Sequence, residues 1–182
     1  MKNIFLFSII LMSSLTLSAQ KNLNQLSDAE LAEYLINQSC AAKADPPPPP
    51  NAIRTEVKLR SEKVQNIEPI LIQAYENGPS KTDLDDFEKS CRKRFDMIQK
   101  ALKSGRNYGL SEADLATVRG RTWEDFYEKE KKNYVMNRRS QALLALGRTG
   151  GAEAKKFLQK EAKNTKSPLQ KSAKAALKLV NE

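Results

Sequence analysis

Proton transfer near neutral pH is most often served by histidine, and this 182-residue chain has none. The absence removes Ser-His-Asp and Cys-His arrangements and histidine metal sites. Cys40 and Cys91 stand 51 positions apart, so no C-x-x-C zinc, redox or haem motif exists. The acidic run from Asp83 to Glu88 resembles a calcium loop only in its first positions: the sixth is Glu88 rather than Gly and the twelfth is Arg94 rather than Glu. Carboxylates in such a run suit a first helical turn, which favours them without any ligand. Gly147-Arg148-Thr149-Gly150-Gly151 lacks both the lysine-serine or lysine-threonine end of a P-loop and a preceding strand, so it is expected to be a turn between helices. Two distant carboxylates could serve glycoside hydrolysis, yet nothing marks a pair. The sequence thus points to no catalytic residue, no metal site and no cofactor.

What it offers instead is charge, unevenly shared. The chain is formally +9. From Gln20 to Met136 there are 19 Lys plus Arg against 19 Asp plus Glu; from Asn137 to Glu182 there are 11 against 3. Nearly all the net charge therefore sits on the last quarter, an asymmetry that favours an acidic partner. Helical phase then asks whether the cations face outward. Over 152–163, Ala154, Phe157, Leu158 and Ala162 share one side while Lys156, Lys160 and Lys163 point away. Over 168–180, Leu169, Ala173, Leu177 and Val180 face inward, with Lys171, Lys174 and Lys178 outside. The candidate binding face comprises Arg138, Arg139, Lys155, Lys156, Lys160, Lys163, Lys171, Lys174 and Lys178. The competing reading is that these lysines only keep the end of the fold soluble.

The elements that hold this face repeat. The stretch from Tyr134 to Leu179 aligns with itself at a shift of 31 residues, placing Arg139 on Gln170, Ala142 on Ala173, Ala145 on Ala176 and Leu146 on Leu177. Such a period is the mark of stacked helical repeats. The spacing R-x-x-A-x-x-A-L-G, carried by Arg139, Ala142, Ala145, Leu146 and Gly147, resembles the HEAT-like repeats of the form named after bilin lyases. The resemblance covers about a quarter of the chain. It implies a right-handed α-solenoid of successive antiparallel helix pairs whose usual work is binding macromolecules. It also implies that Arg139 supports stacking between repeats rather than a ligand. Gln170 departs from the family's arginine and Lys178 from its frequent glycine, as a terminal capping unit would. No residue identifies a chromophore site.

Upstream, residues 1–19 combine Lys2, an apolar run from Ile4 to Leu17 and a small residue, Ala19: the pattern of a secretory signal peptide cleaved before Gln20. A periplasmic or secreted location is expected, where Cys40 and Cys91 either form a disulfide or remain two separate buried thiols. Ser27 and Glu30 have the spacing of a capping box for a first helix, and Pro46 to Pro50 form an extended spacer, so 20–50 is an N-terminal helix and linker. The region 51–136 reads as further helices: one interrupted at Pro69 and ended by Gly78, one capped by Thr82 with the stripe Leu84, Phe87, Cys91, Phe95, Ile98 and Leu102, a short one at Ser111, and one capped by Thr122. A separate helix is expected to begin at Met136, and 137–182 holds the repeats with their C-terminal cap. No stretch alternates as a strand, so the fold class is all-α.

The expected function is a non-catalytic, exported interaction module that binds an acidic envelope or secreted protein. The first alternative is an anionic polymer or anionic lipid surface, with nucleic-acid base reading disfavoured because no aromatics interleave the basic segment. The weaker alternative is an enzyme that uses unmarked carboxylates.

Overall fold

The computed structural model describes residues 26–39 and 61–181, and within them the chain is seven helices without a strand. The expected signal peptide, Cys40, the proline run and the helix start at 51–60 lie outside the described residues. The helices are α1 (Asp28–Gln38), α2 (Ser61–Asn77), α3 (Lys81–Ser104), α4 (Glu112–Val118), α5 (Trp123–Thr149), α6 (Ala152–Lys163) and α7 (Gln170–Asn181). Local chemistry sets their starts. Ser27 and Glu30 make the expected capping box for α1, and Ser111 with Asp114 does the same for α4. At α3 the cap is Ser80, paired with Asp83, rather than Thr82: the S-x-x-D spacing supplies a reciprocal carboxylate that Thr82 lacks. Pro69 neither starts nor breaks a helix but is carried within α2 on an exposed side, where it gives up a single backbone hydrogen bond.

Two apolar clusters form. The larger joins α1, α2, α6, α7 and the second half of α5, around Leu31, Leu71, Leu143, Leu146 and Leu158. The smaller joins α3, α4 and the first half of α5, around Phe95, Ile98, Val118 and Phe126. A single helix of 27 residues serves both, in place of the separate helices expected on either side of Met136. Phe126 and the set Ala142 to Leu146 lie about 180° apart around the axis at 100° per residue, so the buried side switches midway along α5. A scan for one apolar face sees two helices where the backbone makes one. Phe87 stacked on Tyr134 at 4.2 Å marks the junction between the clusters.

Contacts fix the helix directions. α2 runs against α5, with Glu68 beside Thr149 and Glu76 beside Arg139. α6 runs with α2, since Glu68 meets Ala154 while Tyr75 meets Glu161. α7 runs with α5, because Ser140 bonds Ser172 at 2.8 Å and Gly147 lies against Ala176. The last contact is so close that a Cβ on Gly147 would sit 2.4 Å from the Ala176 carbonyl oxygen. Backbone cannot yield there as a flexible side chain would. Gly147→Ala is therefore expected to lower unfolding free energy by roughly 1–3 kcal/mol, the usual cost of overpacking, as read from urea denaturation followed by helical circular dichroism. An unchanged midpoint would mean that α5 and α7 do not touch here.

Candidate functional site

The cations of the last quarter separate into two populations. Lys155, Lys156, Lys160, Lys163, Lys171, Lys174 and Lys178 are all exposed, and none forms an ion pair with a described residue. On α6, Ala154, Phe157 and Glu161 turn toward α2, and Leu158 and Ala162 are buried in the core; Lys156 and Lys163 fall opposite them at 100° per residue. On α7, Ser172 and Ala176 turn toward α5, and the three lysines occupy the side away from it. Of the two acids that α6 and α7 hold, Glu153 is exposed and Glu161 is buried.

The arginines go inward. Arg138 forms an ion pair with Glu33 of α1 through Nη2 and donates from Nη1 to Asn37 Oδ1 at 3.0 Å. Burial is the largest single influence and works against its charge, but the hydrogen bond and charge of Glu33, together with the charges of Tyr134 and Asp83, hold the guanidinium above its ordinary value. Arg139 Nη2 donates to the carbonyl of Glu76 at 3.0 Å, satisfying an otherwise open acceptor in the last turn of α2. Arg148 Nη1 donates to Ser39 Oγ at 3.1 Å, and burial pulls its guanidinium below the ordinary value. Two members of the expected binding face, Arg138 and Arg139, are thus clamps between helices.

Gln170, aligned with Arg139 in the sequence, has an equivalent bond. Its Nε2 donates to the carbonyl of Ala162 at 3.1 Å, one residue before the end of α6, just as Glu76 is one residue before the end of α2. The shorter amide does for α6 what the guanidinium does for α2.

Two buried carboxylates escaped the sequence reading. Glu68, 2 % exposed, accepts from Thr149 Oγ1 at 2.8 Å and from the backbone N–H of Ala154 at 3.2 Å. It supplies from α2 the cap that Gly151, the N-cap of α6, has no side chain to provide. A Cβ on Gly151 would lie 2.1 Å from Glu68 Oε1, so the glycine clears the space for the carboxylate. Glu161 accepts from the Tyr75 hydroxyl at 2.7 Å, and Tyr75 meets Phe157 edge to face at 5.5 Å. Both acids stand on apolar stripes, Glu68 between Val64 and Leu71 and Glu161 after Leu158, and that displacement was the available signal.

Cys91 is a free, buried thiol in the smaller cluster. Burial, then the Glu130 carboxylate, pushes its thiol up, which disfavours the reactive thiolate. Its expected partner, Cys40, lies outside the described residues. Among the described residues no set of three His, Cys, Asp or Glu side chains is placed to hold a metal ion, and no helix is long and apolar enough to cross a membrane. The chain matches no family model, no curated protein and no solved structure.

Two outcomes are expected from the buried acids. Glu68→Ala strands the Ala154 N–H, while the Thr149 hydroxyl keeps the Leu146 carbonyl, and should cost about 1–3 kcal/mol in denaturant unfolding, more than Glu153→Ala on the exposed side of α6. Tyr75 has its phenol raised above 10.0 by burial and then by the Glu161 bond. Its protonated form is favoured by folding, so this contribution is complete below pH 10.0 and fades as pH rises through the folded value. Thermal unfolding followed from neutral into alkaline pH should fall less steeply in Tyr75→Phe than in the parent. Parallel curves would remove Tyr75 from the linkage.

Proposed function

We propose that this chain is a non-catalytic, exported helical-repeat module that docks an acidic macromolecule through the lysine face of α6 and α7. The observation carrying this is the division of cations: the segment's arginines are spent between helices, whereas its lysines are exposed without ion-pair partners among the described residues. A face that served only solubility would usually interleave both signs. Here Glu153 is the one exposed acid on the described parts of α6 and α7.

The repeat reading is supported by the matching bonds of Arg139 to α2 and Gln170 to α6, and by the shared direction of α5 with α7 and of α2 with α6. Gly147 lies against Ala176, and Ala142, Ala145 and Ala173 are buried in the same core, the close approach that stacked repeats require. The lysines on the free side of α7 suit a capping unit, which ends the stack with a polar surface.

The test is binding of a fluorescent polyglutamate peptide by the chain from Gln20, which keeps every described residue. Changing Lys156, Lys160, Lys171 and Lys174 to Glu should weaken binding at low salt by about a hundredfold or more, with circular dichroism unchanged. Arg138→Ala should lower the unfolding midpoint while leaving affinity within about twofold, since its charge already serves Glu33. Equal affinity of parent and four-lysine variant would sink the proposal.

A further inference from the structure

We infer that the acidic partner of this face is an anionic lipid surface, an inference that rests on the reading of the lysine face as a binding surface. Three observations separate a lipid surface from an acidic protein or a linear polymer. First, the face is lysine alone. Protein interfaces centre on aromatic, apolar and arginine side chains and are depleted of lysine. The large apolar residues exposed among the described ones, Met97 and Tyr108, belong to α3 and the loop after it, not to α6 or α7.

Second, lysine suits headgroups that move. Its ammonium is a compact, hydrated point charge on a flexible stem, without the fixed fork that arginine presents to a fixed acceptor. The segment does contain arginines, and all three are directed inward. Third, the lysines stand on the outer side of an antiparallel hairpin, each helix 12 residues long. Each helix is about 18 Å long. A polybasic side spread over two helices meets a charged plane with many cations at once. With no large exposed apolar residue among them, these helices should adsorb without inserting.

The experiment is cosedimentation of the chain from Gln20 with phosphatidylcholine vesicles containing increasing phosphatidylglycerol, beside equilibrium binding to polyglutamate and to a short DNA duplex. The expected result is no partitioning onto phosphatidylcholine alone and a steep rise with phosphatidylglycerol. Partitioning should fall about a hundredfold or more when Lys156, Lys160, Lys171 and Lys174 become Glu, and less when they become Gln. The same change of charge at Lys100 and Lys103, on α3, should leave it within about threefold. Trp123, the sole tryptophan, is packed in the smaller cluster, so its emission should not shift on binding. A blue shift would show that α5's first half enters the lipid and would overturn the assignment of the face. Binding to polyglutamate or duplex without partitioning onto anionic vesicles would overturn the lipid inference and leave the acidic-partner reading standing. Binding to none of the three would remove both.

Discussion

A single buried carboxylate ties α2 to the turn between α5 and α6. Glu68 reaches from the middle of α2 into the turn between α5 and α6, where it accepts from Thr149 and from the Ala154 N–H. It can do so only because position 151 carries no side chain. A carboxylate at a helix N-terminus is favoured by the local dipole as well as by the hydrogen bonds it accepts. Glu68 thus ties the start of α6 to α2. Once α6 is anchored, the short turn brings α7 back along α5, where Gly147 permits the approach to Ala176. Two glycines four positions apart thus admit, in turn, a carboxylate and a backbone.

The division of the cations follows from the same packing. An arginine at a helix junction can satisfy a carbonyl or carboxylate with a fixed fork while its stem fills space between helices. Arg138, Arg139 and Arg148 each take such a place, tying α5 to α1, to α2 and to the end of α1. Lysines on α6 and α7 have no junction to fill because nothing described lies over those sides. Counting charge along the chain found the segment but not this separation. Net charge weighs an internal clamp and a solvent-facing ammonium equally.

Much of the helix plan was legible in residue types: Ser27 with Glu30, Thr122, Gly105 and Gly150 mark ends that the fold uses. The outward set on α6 and α7 was legible too, because those helices are short and bury one side. Legibility failed where one helix buries two sides. Along α5 the core moves halfway around the axis between Phe126 and Ala142, and the period dissolves into an apparent boundary near Met136. It failed again where a polar residue does a core residue's work. Glu68 and Glu161 occupy apolar stripes, and their partners lie 81 and 86 residues away, at Thr149 and Tyr75. No local pattern names such a partner.

The correspondence of Arg139 with Gln170 joins the sequence period to the physical one. Each donates to the penultimate carbonyl of the helix that packs before it, α2 for Arg139 and α6 for Gln170, so the two positions solve the same helix-end problem. Arg139 must span to α2 across the interval occupied by α3 and α4 in the sequence, and it has the longer reach. Gln170 follows α6 after a short loop, and an amide suffices. α3 and α4 form their own apolar cluster with the first half of α5, joined to the larger cluster by the continuous backbone of α5 and the Phe87–Tyr134 stack. The lysine hairpin and this second cluster occupy opposite ends of one long helix.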